Sequence, residues 1–392
     1  SSAVHEPRRV GHERFPGRGR GDDEHFAAND PSTPTVMIYR ILLSGGGTAG
    51  SVTPLIAIAE QIRRQRSAVE FLFLGSANGP ERVLAAAARL PFESIPSSKL
   101  RRYWSWSNIT GLGRLWRGYR QAADIIRRWS PQVAVTAGSF VSVPVIWAAH
   151  RHGVRTLVHQ QDVRPGLANR LMAPAADLIT VAFKASARAF PQDRVRWTGN
   201  PVRSDIMAGD STRGRELFHL PISARVLLVL GGGTGSAAIN GLVGSIAYRL
   251  VRQWSVIHVT GPTRDFVELH SPHYHRYPFL TWELPHALAA ADVVVTRAGL
   301  GALSELAARG SAAIFIPLPD SHQEQNAQVV AEASAGIVLD QRVSIQSRLE
   351  EALERLRQNP GERRRLGNNL RQFYNPAALT QLVDDVFHLI EQ

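Results

Sequence analysis

The sequence MIYRILLSGGGTAGS, at residues 37–51, passes from an apolar strand into a glycine-rich loop that leads to a helix. The sequence RVLLVLGGGTGS, at residues 225–236, repeats this order in the other half of the chain. Such a loop presents bare backbone N–H groups and the positive end of a helix to an anion. The two segments therefore predict two nucleotide-type domains that face one cleft.

Apolar strands and amphipathic helices alternate outward from both loops. This alternation predicts an α/β fold with two Rossmann-like, doubly wound parallel sheets. The N-terminal domain is expected at 37–202 and the C-terminal domain at 221–375. A long helix is predicted at 111–129 in the first domain, and a strand at 278–280 in the second.

Three further segments complete the predicted organisation. Residues 1–36 are polar and lack periodicity, so they are expected to be disordered, and Met37 is a candidate for the true start. The polar stretch 203–220 is predicted to be a linker between the domains. An amphipathic helix is predicted at 376–392, and we expect it to pack back on the N-terminal domain.

The composition points to an anionic partner. The 392 residues carry a formal net charge of +12, and lysine occurs only at Lys99 and Lys184, so arginine supplies nearly all of the positive charge. Nucleic acid, a membrane surface or a phosphorylated substrate would suit this balance, and a bias in genomic base composition would also produce it. The absence of cysteine excludes disulfides, thiolate nucleophiles and Cys-ligated metals. No apolar run reaches the length that spans a bilayer, and the N-terminal segment lacks the apolar core of a secretory signal.

The first loop fits the pattern G-x-G-x-x-G through Gly45, Gly47 and Gly50. A dinucleotide site also needs a carboxylate at the end of the second strand, but that strand ends in the sequence FLGS at 73–76. No lysine follows the loop, which argues against a P-loop NTPase. The loop therefore predicts an anion site without a nicotinamide or flavin cofactor. Tight turns and close helix–sheet packing are the alternative explanation of the glycines.

Two segments of the second half carry polar groups suited to a sugar nucleotide. In DVVVTRAGLGALSE, at 292–305, Glu305 is expected in the first turn of a helix, where it can accept both hydroxyls of a ribose. A carboxylate that merely complements the helix dipole is the alternative. In IPLPDSHQEQNA, at 316–327, amides at a helix start suit sugar hydroxyls and an acetamido group, or else cap the helix.

Aromatic and arginine residues interleave in LRRYWSW at 100–106 and LGRLWRGYR at 112–120. Tryptophan and tyrosine favour the bilayer interface, and each cation near an anionic surface contributes about 1 kcal/mol. We therefore predict a membrane patch that comprises Trp104, Trp106, Arg114, Trp116 and Arg117. A solvated basic face of an ordinary amphipathic helix is the alternative. No nucleic-acid-binding motif is present, so nucleic acid is not an expected partner.

Five motifs occur in a fixed order along the chain: GGTAG at 46–50, GNPVR at 199–203, RAG at 297–299, SE at 304–305 and HQEQNA at 322–327. From Met37 to the C-terminus the chain resembles the MurG-type glycosyltransferases. The resemblance implies a GT-B fold and an inverting transfer of N-acetylglucosamine from UDP-GlcNAc to a lipid-linked muramyl-pentapeptide (lipid I), giving lipid II. It also implies a peripheral enzyme on the anionic cytoplasmic face of the inner membrane.

The resemblance assigns roles to residues through these motifs. It implies that UDP-GlcNAc is held by Arg203, Gly233, Thr234, Leu280, Leu300, Gly301, Ala302, Leu303, Ser304, Glu305, His322, Gln323 and Asn326. It implies that the acceptor diphosphate is held by Thr48, Ala49 and Gly50, with Asp162 close by. No cofactor is expected. No D-x-D pattern ends a strand, so we expect no metal, and a helix N-terminus with Arg203 can stabilise the leaving diphosphate instead.

The chain departs from the family mainly in its acceptor half. Ser51 stands where the family's loop ends in histidine, and a serine hydroxyl is not a general base near neutral pH. The family's His-Glu-Gln-Asn reads His159-Gln-Gln-Asp162 here. The catalytic candidates are therefore Asp162, His159 and Ser51. Either Asp162 has taken over proton abstraction, or the acceptor chemistry has shifted or been lost. His159 is the second candidate, although a lone histidine at the end of a strand is more often a hydrogen-bonded structural residue.

Two other functions are compatible with these residues. One is a UDP-sugar epimerase or hydrolase on the same fold, which would have no use for the aromatic–arginine patch. The other is a non-catalytic UDP-GlcNAc-binding protein. Incubation of labelled UDP-GlcNAc with lipid I distinguishes all three through the product that forms.

Overall fold

The computed structural model describes residues 38–97, 106–232, 235–261 and 269–392, with the backbone alone for Ala49 and for residues 106–112. The predictions for residues 1–36, Met37, Trp104, Gly233 and Thr234 lie outside the described residues, as do those for the side chains of Ala49 and Trp106.

Seven parallel strands form the sheet of the N-terminal half, in the order β3-β2-β1-β4-β5-β6-β7. Their bounds are β1 Tyr39–Ser44, β2 Val69–Gly75, β3 Phe92–Ser94, β4 Val133–Thr136, β5 Arg155–Gln160, β6 Leu178–Val181 and β7 Val195–Trp197. Ile41 of β1 pairs with Phe71 on one side and with Val133 on the other. The central strands are apolar runs buried on both faces, as a parallel sheet covered by helices requires.

The first five helices pack on both faces of this sheet. They are α1 Thr53–Gln65, α2 Glu81–Ala87, α3 Trp106–Trp129, α4 Ser142–Arg151 and α5 Leu167–Met172. One core layer joins α3 and α4 to the sheet, and the other joins α1 to the opposite face. Helix α3 begins five residues before the predicted helix 111–129.

Six parallel strands form the sheet of the C-terminal half, in the order β10-β9-β8-β11-β12-β13. Their bounds are β8 Val226–Leu230, β9 Ser255–Val259, β10 Tyr274–Tyr277, β11 Val293–Thr296, β12 Ala313–Phe315 and β13 Ile337–Val338. The prediction of a strand at 278–280 is wrong, because the edge strand lies four residues earlier. Tyr274 is buried and pairs with Val256, whereas Pro278 has no N–H to donate to a ladder.

In the described part of the chain after β8, six helices cover the second sheet. They are α8 Ala237–Leu250, α9 Leu284–Ala290, α10 Leu300–Arg309, α11 His322–Glu332, α12 Ile345–Gln358 and α13 Pro360–Leu370. Helix α13 is absent from our sequence prediction because its sequence, PGERRRLGNNL, is strongly polar. Its start is fixed by Pro360 in the first turn and by Asn359, whose side chain accepts from the Glu362 N–H at 3.1 Å.

The segment 203–220 is not the polar linker that the sequence predicts. It contains α6 Ser204–Met207 and α7 Ser211–Leu217, and three of its apolar side chains are buried in the core of the C-terminal half. These are Ile206, Phe218 and Leu220. A Cβ on Gly214 would lie 2.3 Å from the His286 carbonyl oxygen, so α7 packs directly on α9. Close packing of a polar but small-residue segment makes it part of the C-terminal half.

The last helix, α14 Ala378–Glu391, packs against the N-terminal half. Its apolar stripe, including Leu382 and Val386, lies in one core layer with Ile41 and with residues of α1. Arg196 of β7 forms an ion pair with the buried Asp385 of this helix. The chain therefore crosses back to its first sheet after completing the second.

Candidate active site

Both glycine-rich loops lie at the carboxyl ends of central parallel strands. The first follows β1, which lies between β2 and β4, and the second follows β8, which lies between β9 and β11. The strand order reverses at each of these places, and ligands of doubly wound sheets bind at such points. The topology therefore assigns each half one candidate site.

The first loop is closed by its own side chain. The Ser51 hydroxyl accepts a hydrogen bond from the Gly46 N–H at 3.2 Å. It is placed to donate to the carbonyl oxygens of Gly46 and Thr48, at 3.0 and 3.2 Å. Ser51 is also buried. A hydroxyl with these hydrogen bonds holds the loop in its closed turn, so the structure contradicts Ser51 as a catalytic base.

A buried carboxylate fills a second position of this loop. Glu81 accepts from the Gly47 N–H at 3.1 Å and from the Ser76 N–H at 2.8 Å, and the Ser76 hydroxyl also donates to it. A Cβ on Gly46 would lie 2.3 Å from a Glu81 oxygen, so the glycine leaves room for this carboxylate. The amides at 46 and 47 are therefore occupied by the protein, contrary to our prediction of a bare loop. Sequence reasoning missed Glu81, although its position in the first turn of α2 was a signal.

The exposed part of the first loop begins at Gly47. Thr48 is exposed and Gly50 is partly exposed. The Gln161 side-chain amide donates to the Gly50 carbonyl at 2.8 Å, which ties the loop to the segment after β5. These positions are the ones that the prediction assigns to the acceptor diphosphate.

His159 is not available to a substrate. Its ring is fully buried, with Nδ1 2.9 Å from the Thr180 hydroxyl and Nε2 3.2 Å from the Asn200 side-chain oxygen. Burial lowers the pKa of His159 to about 4, although the Asn200 hydrogen bond opposes this shift. A buried histidine with both ring nitrogens in hydrogen bonds has a structural role, so the structure contradicts the prediction of His159 as a catalytic base.

Asp162 is the catalytic candidate that stays accessible. Its carboxylate is 27% exposed. One oxygen accepts from the Asn326 amide at 2.9 Å, and the other lies 3.8 Å from Nε2 of His322. Asp162 follows the end of β5, whereas Asn326 and His322 belong to α11 of the other half, so the two halves meet at this carboxylate.

Asn326 itself is not a sugar ligand. It is fully buried, and its amide donates to the Ala298 carbonyl at 3.1 Å as well as to Asp162. Its side-chain oxygen accepts from the Val163 N–H at 3.1 Å. Because both polar atoms are committed to the protein, the prediction that Asn326 contacts the donor is wrong. His322 is 53% exposed, and Gln323 is partly exposed with its side-chain oxygen 2.9 Å from the Leu318 N–H.

Glu305 lies in the second turn of α10, not in the first turn as predicted. Its side chain is 17% exposed, and Nη2 of Arg203 lies 3.8 Å from one carboxylate oxygen. Burial raises the pKa of Glu305 to about 7, the Arg203 charge opposes this, and Asp205 adds to it. The helix dipole acts mainly in the first turn, so dipole complementarity does not explain this carboxylate.

Arg203 has unused hydrogen-bonding capacity. Within the described part of the chain, its Nε is buried and has no hydrogen-bond partner. Its Nη1 lies 3.5 Å from Asp205 and its Nη2 faces Glu305. A buried donor without a partner is uncommon, and it is consistent with a ligand that supplies the missing acceptor.

The remaining predicted donor residues surround the start of α10. Leu280 and Leu300 are buried in one core, while Gly301 and Ala302 are partly exposed. The first-turn N–H groups at 300–302 have no intrahelical acceptor. The side chains of Leu303 and Ser304 are buried behind the helix, and the Ser304 hydroxyl accepts from the Asn200 amide at 3.0 Å.

Beneath the second loop lies a buried cation that we did not predict as a site residue. Arg297, at the end of β11, donates to the Ser236 hydroxyl at 2.8 Å, and Ser236 caps the N-terminus of α8. Its other described partners are the carbonyls of Ile316 and Pro317 and the Gln341 side-chain oxygen. Burial lowers its pKa. In the described residues all its partners are neutral, so an anion on the loop would meet an uncompensated charge.

The outer face of α3 carries the described part of the aromatic–arginine patch. Trp116 is 61% exposed and stacks on Tyr119 with ring centroids 5.5 Å apart. Arg114 and Arg117 are exposed beside it. Among the described helices, none combines the length and the apolar character that a membrane span requires.

Two models of one protein family match the chain. The glycosyltransferase family 28 N-terminal domain matches residues 41–181, and the glycosyltransferase family 28 C-terminal domain matches residues 226–378. Each match covers one of the two parallel sheets for most of its length. Together the two matches extend over more than half of the chain.

Known relatives are similar over most of their length. A protein of Desulforamulus reducens is 33% identical over 361 residues, which cover 88% of this chain and 97% of the relative. A protein of Clostridium perfringens is 34% identical over 281 residues, covering 71% of this chain and 78% of the relative. Both are named UDP-N-acetylglucosamine--N-acetylmuramyl-(pentapeptide) pyrophosphoryl-undecaprenol N-acetylglucosamine transferase.

The solved structures agree on the architecture. The crystal structure of Acinetobacter baumannii MurG matches with a TM-score of 0.69 at 21% identity, covering 90% of this chain and 100% of that one. The fold class predicted from the sequence, two Rossmann-like domains of the GT-B type, is thereby confirmed.

Proposed function

The chain belongs to the MurG group of glycosyltransferase family 28, and we propose that it transfers N-acetylglucosamine from UDP-GlcNAc to lipid I, giving lipid II. The observation that carries this proposal is the Glu305–Arg203 pair at the ligand-binding end of the second sheet. A partly buried carboxylate with a raised pKa beside an arginine with an unused donor suits a ribose diphosphate.

In the proposed donor complex, the ionised Glu305 carboxylate accepts hydrogen bonds from both ribose hydroxyls. Arg203 lies close enough to Glu305 to reach the diphosphate that follows the ribose. The N-terminus of α8 and the buried Arg297 supply further positive potential from below. Gly233 and Thr234, outside the described residues, are proposed to complete the diphosphate loop. His322 and Gln323 are proposed to face the sugar.

In the proposed transfer step, the acceptor hydroxyl attacks the anomeric carbon from the side opposite to UDP. The new bond joins the hydroxyl oxygen to that carbon while the bond from the carbon to the diphosphate oxygen breaks, which inverts the centre. Asp162, the accessible candidate, takes the hydroxyl proton. The departing UDP carries the electron pair away, stabilised by Arg203 and the α8 N-terminus without a metal.

We assign the acceptor diphosphate to the outer part of the first loop. Gly46 and Gly47 donate to Ser51 and Glu81, so they are not free to bind it. Thr48 and the partly exposed Gly50 are left as the described part of the binding surface, with Gln161 holding Gly50. The acceptor site is thus smaller than the glycine pattern suggests.

The face of α3 with Trp116 and Arg117 is proposed to dock on the anionic cytoplasmic surface of the inner membrane. An exposed indole and nearby guanidinium groups suit the bilayer interface. Trp116→Ala combined with Arg117→Glu should weaken binding to anionic vesicles while UDP binding is kept. Equal vesicle binding by this variant and the parent chain would contradict the docking surface.

The function is tested by incubating the full chain with labelled UDP-GlcNAc and lipid I in vesicles. The proposal predicts labelled lipid II, and Asp162→Asn should slow its formation by about 100-fold or more, the usual contribution of a general base. Free GlcNAc would indicate a hydrolase, a labelled epimer an epimerase, and bound donor without product a binding protein. A full rate in Asp162→Asn would remove Asp162 as the base.

A further inference from the structure

Asn326 is a buried side chain that the proposed reaction does not use. It sits on α11 of the C-terminal half, yet its amide and its oxygen contact Asp162 and Val163 of the N-terminal half at 2.9 and 3.1 Å. It also donates to the Ala298 carbonyl at 3.1 Å. One side chain therefore joins the base candidate to the residues just before α10.

A carboxamide is suited to this position. Its NH₂ group supplies two donors, and here one faces a carbonyl and the other a carboxylate. Its oxygen supplies the acceptor that the Val163 N–H needs. Aspartate would lose both donors. An aliphatic residue would remove the acceptor of the Val163 N–H and the amide donor of the Asp162 carboxylate.

The segment 159–163 has a second connection to the donor half. His159 contacts Asn200, whose amide donates to the Ser304 hydroxyl at 3.0 Å, one residue before Glu305. In the opposite direction Gln161 donates to Gly50 of the first loop at 2.8 Å. The segment thus lies between the first loop and α10, and Asn326 is the residue of the C-terminal half that donates to the Asp162 carboxylate.

We propose that Asn326 is a positioning residue for the transfer step, which holds Asp162 at the point where the two halves meet. This rests on the proposed function, in which Asp162 accepts the proton of the acceptor hydroxyl. Asn326 acts through Asp162 and through the backbone at Val163, and it does not touch the substrates. His322, one turn earlier on α11, borders the other Asp162 oxygen at 3.8 Å.

The test compares Asn326→Ala with Gln328→Ala, which removes a side-chain amide from the exposed face of the same helix. Asn326→Ala should lower kcat for lipid II formation by about 10- to 100-fold, because small displacements of a catalytic group have effects of this size. KM for UDP-GlcNAc and the affinity for UDP should stay unchanged. Gln328→Ala should behave as the parent chain.

Two further variants separate positioning from general loss of structure. In an Asp162→Asn background, Asn326→Ala should add less than about a twofold loss, because residues that act as one unit are not additive. Asn326→Asp keeps the volume but puts two carboxylates together, so it should lose at least as much kcat as Asn326→Ala. Independent, multiplicative losses in the double variant would overturn the proposal.

Hydrogen exchange gives a result that does not depend on the reaction. The Val163 amide should exchange faster in Asn326→Ala than in the parent chain, with unchanged exchange in the strands of the second sheet. Unchanged exchange at Val163, or full kcat in Asn326→Ala, contradicts the positioning role. Absence of lipid II with the parent chain contradicts the proposed function instead, and Val163 exchange then decides the role of Asn326 in holding the segment.

Discussion

The two glycine-rich loops follow the same sequence pattern but differ in electrostatics. Around the first loop the protein supplies its own anion, because Glu81 accepts from Gly47 and Ser51 accepts from Gly46. Beneath the second loop it supplies a cation, Arg297, whose described partners are all neutral. The comparison shows that side chains outside the glycine motif set the charge that surrounds each loop.

This difference matches the proposed division of labour. In the proposed reaction, the second loop stabilises a diphosphate whose negative charge grows during transfer, and a pre-formed positive site would lower that barrier. The first loop is proposed to hold an acceptor whose diphosphate does not react. An internally satisfied loop with a short exposed stretch is sufficient for that task.

The largest effect is expected from removal of the buried cation. Arg297→Met should lower kcat/KM for UDP-GlcNAc by about 10²- to 10³-fold, since it removes both the charge and the partner of the Ser236 cap. Steady-state kinetics with UDP-GlcNAc varied measures this. Arg249→Met is the matched control, because Arg249 is half exposed and pairs with Glu350 away from the loop. Equal losses in both variants would show that the position of the charge does not matter.

The reciprocal change is made at Glu81. Glu81→Gln keeps the shape but replaces one acceptor oxygen by a donor, so Gly47 or Ser76 loses its partner. We expect kcat/KM for the lipid acceptor to fall by about tenfold or more, while KM for UDP-GlcNAc is unchanged. Kinetics with each substrate varied separately would check this. A rise in KM for UDP-GlcNAc alone would reverse the assignment of the two loops.

Glu305 gives the donor site a pH dependence. Its pKa is raised to about 7, so the Glu305 carboxyl of the unliganded protein is mostly protonated below pH 7. If the ionised form binds the ribose, KM for UDP-GlcNAc should rise about tenfold between pH 8 and pH 6, and Glu305→Gln should abolish the dependence. A pH-independent KM in the parent chain would contradict this.

The same shift affects stability with a defined sign. The folded state binds a proton at Glu305 more tightly than the unfolded state does, so the ionised carboxylate destabilises the free protein at pH 8. Glu305→Gln should therefore raise the melting temperature of the unliganded protein at pH 8. This gain should disappear as pH falls from about 7 towards the ordinary carboxyl pKa of about 4.5.

The smallest effect is expected at Ser51. Ser51→Ala removes the hydroxyl that bonds to the Gly46 and Thr48 carbonyls. This should change kcat by less than about tenfold, because hydrogen bonds of this kind contribute little to the chemistry. Loss of a general base would lower kcat by about 100-fold or more. Single-turnover rates of lipid II formation distinguish these outcomes, and a loss of the second size would restore Ser51 as a base.

The sequence predicts the parts of the fold that local patterns determine. Buried apolar strands such as β1 and β8, and the loops after them, follow from short runs of residues. The sequence predicts that Glu305 lies on a helix, although it places the residue in the first turn instead of the second. The edge strand β10 was misplaced because its sequence, YHRY, carries little apolar signal.

Contacts between distant residues account for what the sequence does not predict. Asn326 and Asp162 are separated by 164 positions, and His159 and Asn200 by 41, so no local pattern reveals that these side chains meet. Ser51 and Glu81 are likewise assigned only once their hydrogen bonds are known. The family motif assigns Asn326 to the donor site, but in the structure this residue is buried and contacts Asp162 and Val163 of the other half.

Direct titration of UDP into the free protein tests the contrast between the loops most simply, because it needs no acceptor. By isothermal titration calorimetry, Arg297→Met should lose UDP affinity by at least about tenfold, and Glu81→Gln should bind UDP as the parent chain does. If Arg297→Met bound UDP normally and Glu81→Gln did not, the donor diphosphate would belong to the first loop, and the account would be wrong.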